Sequence, residues 1–238
     1  LRALLEDARR VGIRWQTAAM LAPSLAGLFP SPDAAMLAEP LAVGIHAARM
    51  AAITLGEDVL VLGGGAIGLL AAFAAARSGA RVRVSARYAH QRSMALALGA
   101  AAVIEAERAA VLDAAAREPP DVVIESVGGT ADTLEVALRA VRPGGRIVAL
   151  GMFTQPIALH PLRFLMKEAH LVSSMTYSRR EGRPDFATAL AFLARERNLL
   201  ARLITHRVPL AEIANGFALA ADKSSKAIKV AVTVAAPS

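Results

Sequence analysis

The chain has 238 residues, 55% of them hydrophobic and 20% charged, which is ample for a packed core and excludes general disorder. Its formal charge of +7 raises nucleic acid as a partner, but the excess is Arg scattered through an Ala-rich sequence, with few aromatics beside it to stack on bases, so nucleic acid is excluded as the main partner. There is no Cys, which excludes disulfides and Cys-ligated zinc and agrees with the cytoplasm as the expected compartment.

In chain order, residues 4–20 are an amphipathic helix candidate, followed by a Pro-rich stretch at Pro23, Pro30 and Pro32. No secretory signal peptide is visible. Short β-rich runs then alternate with Ala-rich helical stretches. The strand candidates are residues 59–62, 82–85, 102–104, 121–126, 146–150 and 170–174. Helices are expected from near Ala66, His90, Glu107 and Ala131, two of them ending at Gly79 and Gly99 and the fourth capped by Thr130. Residues 59–76 carry no charge, yet Gly63 to Ala66 and Gly68 interrupt the run, so a buried strand turning into a buried helix is expected and no membrane span. After Tyr177 the pattern changes. Residues 185–195 and 211–221 read as helical, 203–208 as extended and 227–234 as a strand.

Apolar strands this short, each followed by a helix, cannot pair as hairpins. They predict crossover βαβ units in an α/β fold, a doubly wound six-stranded parallel sheet of Rossmann type, with a partial second domain from the flanking segments.

The central motif is Gly63-Gly64-Gly65-Ala66-Ile67-Gly68, a G-x-G-x-x-G that follows a strand and opens a helix. Gly63 permits the tight turn, Gly65 a close backbone approach to a diphosphate, and Gly68 close helix–sheet packing. The amides of Ala66 and Ile67 would face the phosphates at the positive end of the helix. A glycine-rich turn without ligand is the alternative. The second strand ends Val84-Ser85-Ala86-Arg87-Tyr88. The acidic residue that would bond a ribose 2′-hydroxyl is replaced by Ala86, and Arg87 and Arg92 follow. A guanidinium can bond a 2′-phosphate that a carboxylate would repel, so NADP is favoured, with NAD as the alternative.

The segments Leu37-Ala38-Glu39-Pro40-Leu41-Ala42-Val43, Val59 to Gly68, Val141-Arg142-Pro143-Gly144-Gly145-Arg146, Ile204-Thr205-His206-Arg207 and Lys226-Ala227-Ile228-Lys229-Val230, in that order, resemble the medium-chain alcohol and polyol dehydrogenases. The resemblance implies that Ser126, Val127, Gly151 and Met152 line the nicotinamide ribose and ring, with residues 173–175 near the carboxamide. It also implies that Lys229 neutralises the diphosphate, the alternative being a surface Lys. By the same resemblance, residues 39–177 are the dinucleotide-binding domain, residues 1–38 a remnant of the catalytic domain and residues 178–238 a segment returning to it.

The departures matter as much. Zinc members carry a Gly-His-Glu segment and Cys and His ligands that are not present here, and too little chain precedes Glu39 for that domain. No metal ligand is assigned, and zinc is expected only if such a domain supplies one. Glu39 reads as a structural or outer carboxylate. Tyr177 and His46 could relay a proton, but neither has a sequence partner to tune it, and no catalytic residue is assigned. Lys167 and Glu168 read as a surface ion pair. The leading expectation is hydride transfer between NADP(H) and a small alcohol or carbonyl. The alternatives are a non-catalytic dinucleotide-binding module and a zinc-free reductase of the quinone or enoyl type. A homo-oligomer through the sixth strand is also expected.

Overall fold

The apolar runs of the sequence become the strands read from them. A computed structural model of the chain describes residues 32–180 and 183–233. Strands β1 (Asp58–Leu62), β2 (Arg81–Ser85), β3 (Ala102–Ile104), β4 (Val122–Glu125), β5 (Arg146–Ala149) and β6 (His170–Ser173) form one parallel sheet in the order β3-β2-β1-β4-β5-β6. Successive residues of β1 feed opposite faces. Val59 and Val61 enter one core with Val82, Val84 and Ile124, whereas Leu60 and Leu62 enter the other with Val123, Leu138 and Ile147. A sheet covered on both faces needs near-continuous apolar strands, which is why these alternate so little.

The helices are α1 (Pro32–Met50), α2 (Ala66–Arg77), α3 (Ala89–Ala97), α4 (Arg108–Arg117), α5 (Thr133–Ala140) and α6 (Pro161–Lys167). The run of residues 59–76 is β1, a glycine turn and α2. Among the described residues no helix is long and apolar enough to cross a membrane. Gly79 and Gly99 follow α2 and α3 with φ of 90° and 103°, the left-handed conformation that ends a helix.

Helix α1 was not legible in the sequence. Pro40 lies within it, and a proline in a helix interior removes a hydrogen bond at a cost of about 3 kcal/mol. Packing offsets this. Leu37, Leu41 and Ile45 are buried, and a Cβ on Gly44 would stand 2.7 Å from the carbonyl carbon of Leu70, so α1 and α2 meet almost backbone to backbone.

Beyond β6 the chain forms the short pair β7 (Arg179–Arg180) and β8 (Arg183–Pro184), then α7 (Asp185–Leu200), β9 (Ile204–Pro209), α8 (Ile213–Ala221) and β10 (Lys229–Thr233). β9 and β10 pair in parallel as a separate two-stranded sheet. Helix α7 is welded to α1 by the buried Asp185. Its carboxylate pairs with Arg49, lies 2.9 Å from Nδ1 of His46 and accepts the Ser178 amide at 2.7 Å. Phe73 on α2 meets Phe192 on α7 edge to face at 5.5 Å.

Three readings need correction or placing. Thr130 does not cap α5, because the left-handed Gly128 and Gly129 carry the chain past it alongside the loop after β5, and Asp132 takes the cap position. Lys167 does not pair with Glu168. Its ammonium donates to the carbonyls of Arg139 (2.7 Å) and Val141, a stronger partner because the C-terminal end of α5 is negative. The helix candidate at residues 4–20 lies outside the described residues.

Candidate functional site

The strand order reverses between β1 and β4, and a crevice opens there beyond the carboxyl ends of the strands. Its floor is the glycine turn. Gly63 has φ of 115°, and a Cβ there would stand 2.6 Å from Ser126 Oγ. A Cβ on Gly68 would stand 2.2 Å from the Gly63 carbonyl oxygen, so α2 rests directly on the turn. Gly65 is different: a Cβ there meets nothing within 4 Å. It occupies the N-cap of α2 with no side-chain cap bond, and no acidic residue sits in the first turn. Among the described residues the first-turn amides of Ala66, Ile67 and Gly68 therefore have no side-chain acceptor at the positive end of the helix.

This turn borders a cleft of about 650 Å³ that also takes in Ser85, Arg87, Tyr88, Ser126 and Val127. The structure thus brings half of the residues singled out from the sequence into one cleft. Ser85 is buried, and Ser126 Oγ donates to the Leu62 carbonyl at 2.8 Å, stitching β4 to β1 under the turn. The Arg87 side chain is exposed and makes no hydrogen bond or ion pair among the described residues.

Arg92 is committed elsewhere. Its guanidinium donates to the carbonyls of Ala86 (3.0 Å) and Arg87 (3.1 Å) and faces Glu105, so it shapes the loop that presents Arg87. Gly151 and Met152 lie beyond the lining of this cleft, on the loop after β5. That loop is bound to the β4 loop by Gly129 N–H donating to the Met152 carbonyl at 2.7 Å, and Met152 is 71% exposed. Lys229, on β10, does not line the cleft. It stands near Glu39, whose carboxyl is raised by burial and lowered in part by that ammonium.

The proton-relay candidates divide. His46 is buried in the Asp185 cluster, with Ser178 Oγ 3.3 Å from its Nδ1, and serves the α1–α7 junction. Tyr177 is half-buried, and burial together with the nearby Glu39 raises its hydroxyl pKa. Among the described residues no group of His, Asp and Glu could hold a metal ion.

Two participants escaped the sequence reading. Glu125, the last residue of β4, is fully buried, and one carboxylate oxygen accepts the amides of Val127 (2.7 Å) and Gly128 (3.0 Å) and the Thr133 hydroxyl (2.8 Å). It fixes the loop beside the cleft, and a charge at the end of an apolar strand was the available signal. Lys223, from the turn after α8, reaches the same cleft from 135 positions beyond Tyr88, and nothing local announces it.

A doubly wound sheet with an open glycine turn at its switch point defines a nucleotide-binding α/β protein. Comparison with known proteins makes the class specific. The sequence profile described as "Zinc-binding dehydrogenase" matches residues 66–195. Sorbitol dehydrogenase of Homo sapiens is 30% identical over 188 residues, 76% of this chain and 51% of its own length. An alcohol dehydrogenase from Thermus sp. ATN1 superposes with a TM-score of 0.72 at 30% identity, covering 84% of this chain and 58% of that one. A protein of Sinorhizobium meliloti 1021, described as a zinc-binding dehydrogenase and bound to NADP, gives 0.73 at 28% identity over 84% of this chain and 58% of its own. The chain belongs to the zinc-binding dehydrogenase family, and it spans about half the length of the curated relatives it matches.

Proposed function

We propose that this chain carries the coenzyme-binding part of a cytoplasmic oxidoreductase that transfers a hydride between NADP(H) and a small alcohol or carbonyl compound, polyol-like by analogy with its relatives. In this reading residues 39–177 bind the dinucleotide, and residues 1–38 and 178–238 belong to a second unit. One observation carries the reading: the open Gly65 position lies in the same cleft as Arg87, with Ala86 where a carboxylate would stand.

The cradle fits such a coenzyme. The first-turn amides of α2 would hold the diphosphate, Gly65 would let it approach the backbone, and Arg87 would bond a 2′-phosphate. Ser126, Val127, Gly151 and Met152 would border the nicotinamide, with the amides of Val127 and Gly128 held by Glu125. Bound there, the coenzyme supplies the hydride donor or acceptor, while the chain fixes its exposed face. The described residues do not fit zinc, and no step is assigned to it.

The sixth strand offers a partner surface for a second copy. Among the described residues β6 pairs only with β5, and Leu171 on it is exposed, as are Leu165 and Met166 on the adjoining α6.

Titration of nicotinamide fluorescence tests the coenzyme claim. NADPH is expected to bind at least about tenfold more tightly than NADH, the worth of one charged hydrogen bond, and Arg87→Asp to reverse the order. Equal affinities before and after that change would remove the claim.

A further inference from the structure

One residue lining the cleft, Lys223, is not supplied by the Rossmann unit. Lys223 opens a single turn of 3-10 helix, Lys223–Ser225, between α8 and β10, and it lines the same cleft as Arg87 and Tyr88. The turn is held firmly. Asp222 accepts the Ser224 amide and hydroxyl, each at 2.8 Å, and the Ser225 hydroxyl donates to the Leu219 carbonyl at 2.8 Å. It also lies against the start of α3. Lys226 is close enough to His90 to help burial hold that imidazole below its ordinary range, and the His90 ring stacks on Tyr88 at 5.7 Å. The turn therefore faces the loop that presents Arg87.

Neither Lys223 nor Arg87 makes a side-chain hydrogen bond or ion pair among the described residues. No acid nearby forms an ion pair with them: Asp132 pairs with Arg108, Asp222 accepts from Ser224, and Glu107 lines the cleft without an ion pair. Two unpaired cations, delivered by segments far apart in sequence, thus border one cleft. A phosphate monoester carries a charge of about −1.5 to −2 near neutral pH, more than one guanidinium balances. Arg supplies a planar fork of donors, and Lys a compact point charge able to approach a different oxygen.

We propose that Lys223 and Arg87 together form the seat of the ribose 2′-phosphate, so that the turn after α8 selects the coenzyme jointly with the β2–α3 loop. This rests on the reading of the cleft as an NADP(H) site. It makes Lys223 a specificity-determining residue contributed from outside the sheet that holds the diphosphate.

The test uses the full chain and two matched pairs of probes, NADPH with NADH and 2′,5′-ADP with 5′-AMP. Lys223→Ala is expected to weaken NADPH and 2′,5′-ADP by about tenfold or more and to leave NADH and 5′-AMP within about twofold. Lys223→Arg should restore most of the loss, and the thermal midpoint of either variant should match wild type because the side chain is exposed. An equal loss for both members of each pair, or no loss at all, overturns the proposal. The two levels separate cleanly. If wild type shows no preference for NADPH, the coenzyme reading fails and the seat with it. If wild type prefers NADPH, Arg87→Asp abolishes the preference and Lys223→Ala does not, then the seat alone is wrong.

Discussion

At the scale of single residues, the glycines of the first turn divide by what surrounds them. Gly68 has no room for a methyl group, so Gly68→Ala should destabilise the fold by about 1–3 kcal/mol, read as a lower thermal midpoint. Gly65 faces open space, and Gly65→Ala should leave the midpoint unchanged while weakening coenzyme by about tenfold, the worth of one hydrogen bond to a charged phosphate oxygen. A matched loss of stability in both variants would contradict this division. Glu125→Ala should leave two loop amides and a hydroxyl without an acceptor and lower stability by about 3 kcal/mol or more, measurable by urea unfolding. The glycine turn and the empty acidic position at Ala86 were legible because both are local patterns with a physical reading. Lys223 was not, since its place in the cleft depends on how the tail folds back, and a lone Glu125 at the end of an apolar strand does not reveal which loop amides it will accept.

At the scale of elements, six strands could be read from the sequence because burial on both faces leaves a plain apolar signature. Helix α1 could not, because Pro40 and a run of small residues mask the helical repeat that its packing against α2 and α7 restores. Asp185, at the head of α7, anchors that packing. Asp185→Ala should cost about 3–5 kcal/mol, as for one partner removed from a buried pair, and show first as early loss of α7 protection in hydrogen exchange. At the amino ends of the strands a belt of ion pairs joins neighbours: Glu57 with Arg146, Asp121 with Arg142, and Arg81 with both Asp58 and Glu118. Burial alone would raise the carboxyls of Glu57 and Asp121. The bonds from Arg146 and the Thr54 amide, and from Arg142 and the Asp58 amide, outweigh it and hold both below their ordinary values. A depressed carboxyl stabilises the fold above its unfolded pKa of about 4, and that support disappears as pH falls through the lower folded value. Wild type should therefore lose midpoint steeply below about pH 4, and Arg142→Gln should show a shallower acid limb. The pairs are partly exposed, so at neutral pH the variant should lose no more than about 1 kcal/mol.

At the scale of the whole molecule, the edge at β6, open among the described residues, predicts self-association. Sedimentation should show a concentration-dependent dimer that Leu171→Lys converts to monomer, and a wild-type monomer across the micromolar range would argue against an interface there. The two ends of the sheet are built differently. Charge pairs lock the amino end, whereas at the carboxyl end Arg87 and Lys223 have no side-chain partner among the described residues. Folding strength and the proposed ligand preference would therefore draw on separate sets of side chains. An engineer, or natural drift, could rewrite the preference at positions 87 and 223 with almost no compensating change elsewhere, so this scaffold should be unusually forgiving to evolve toward a different coenzyme.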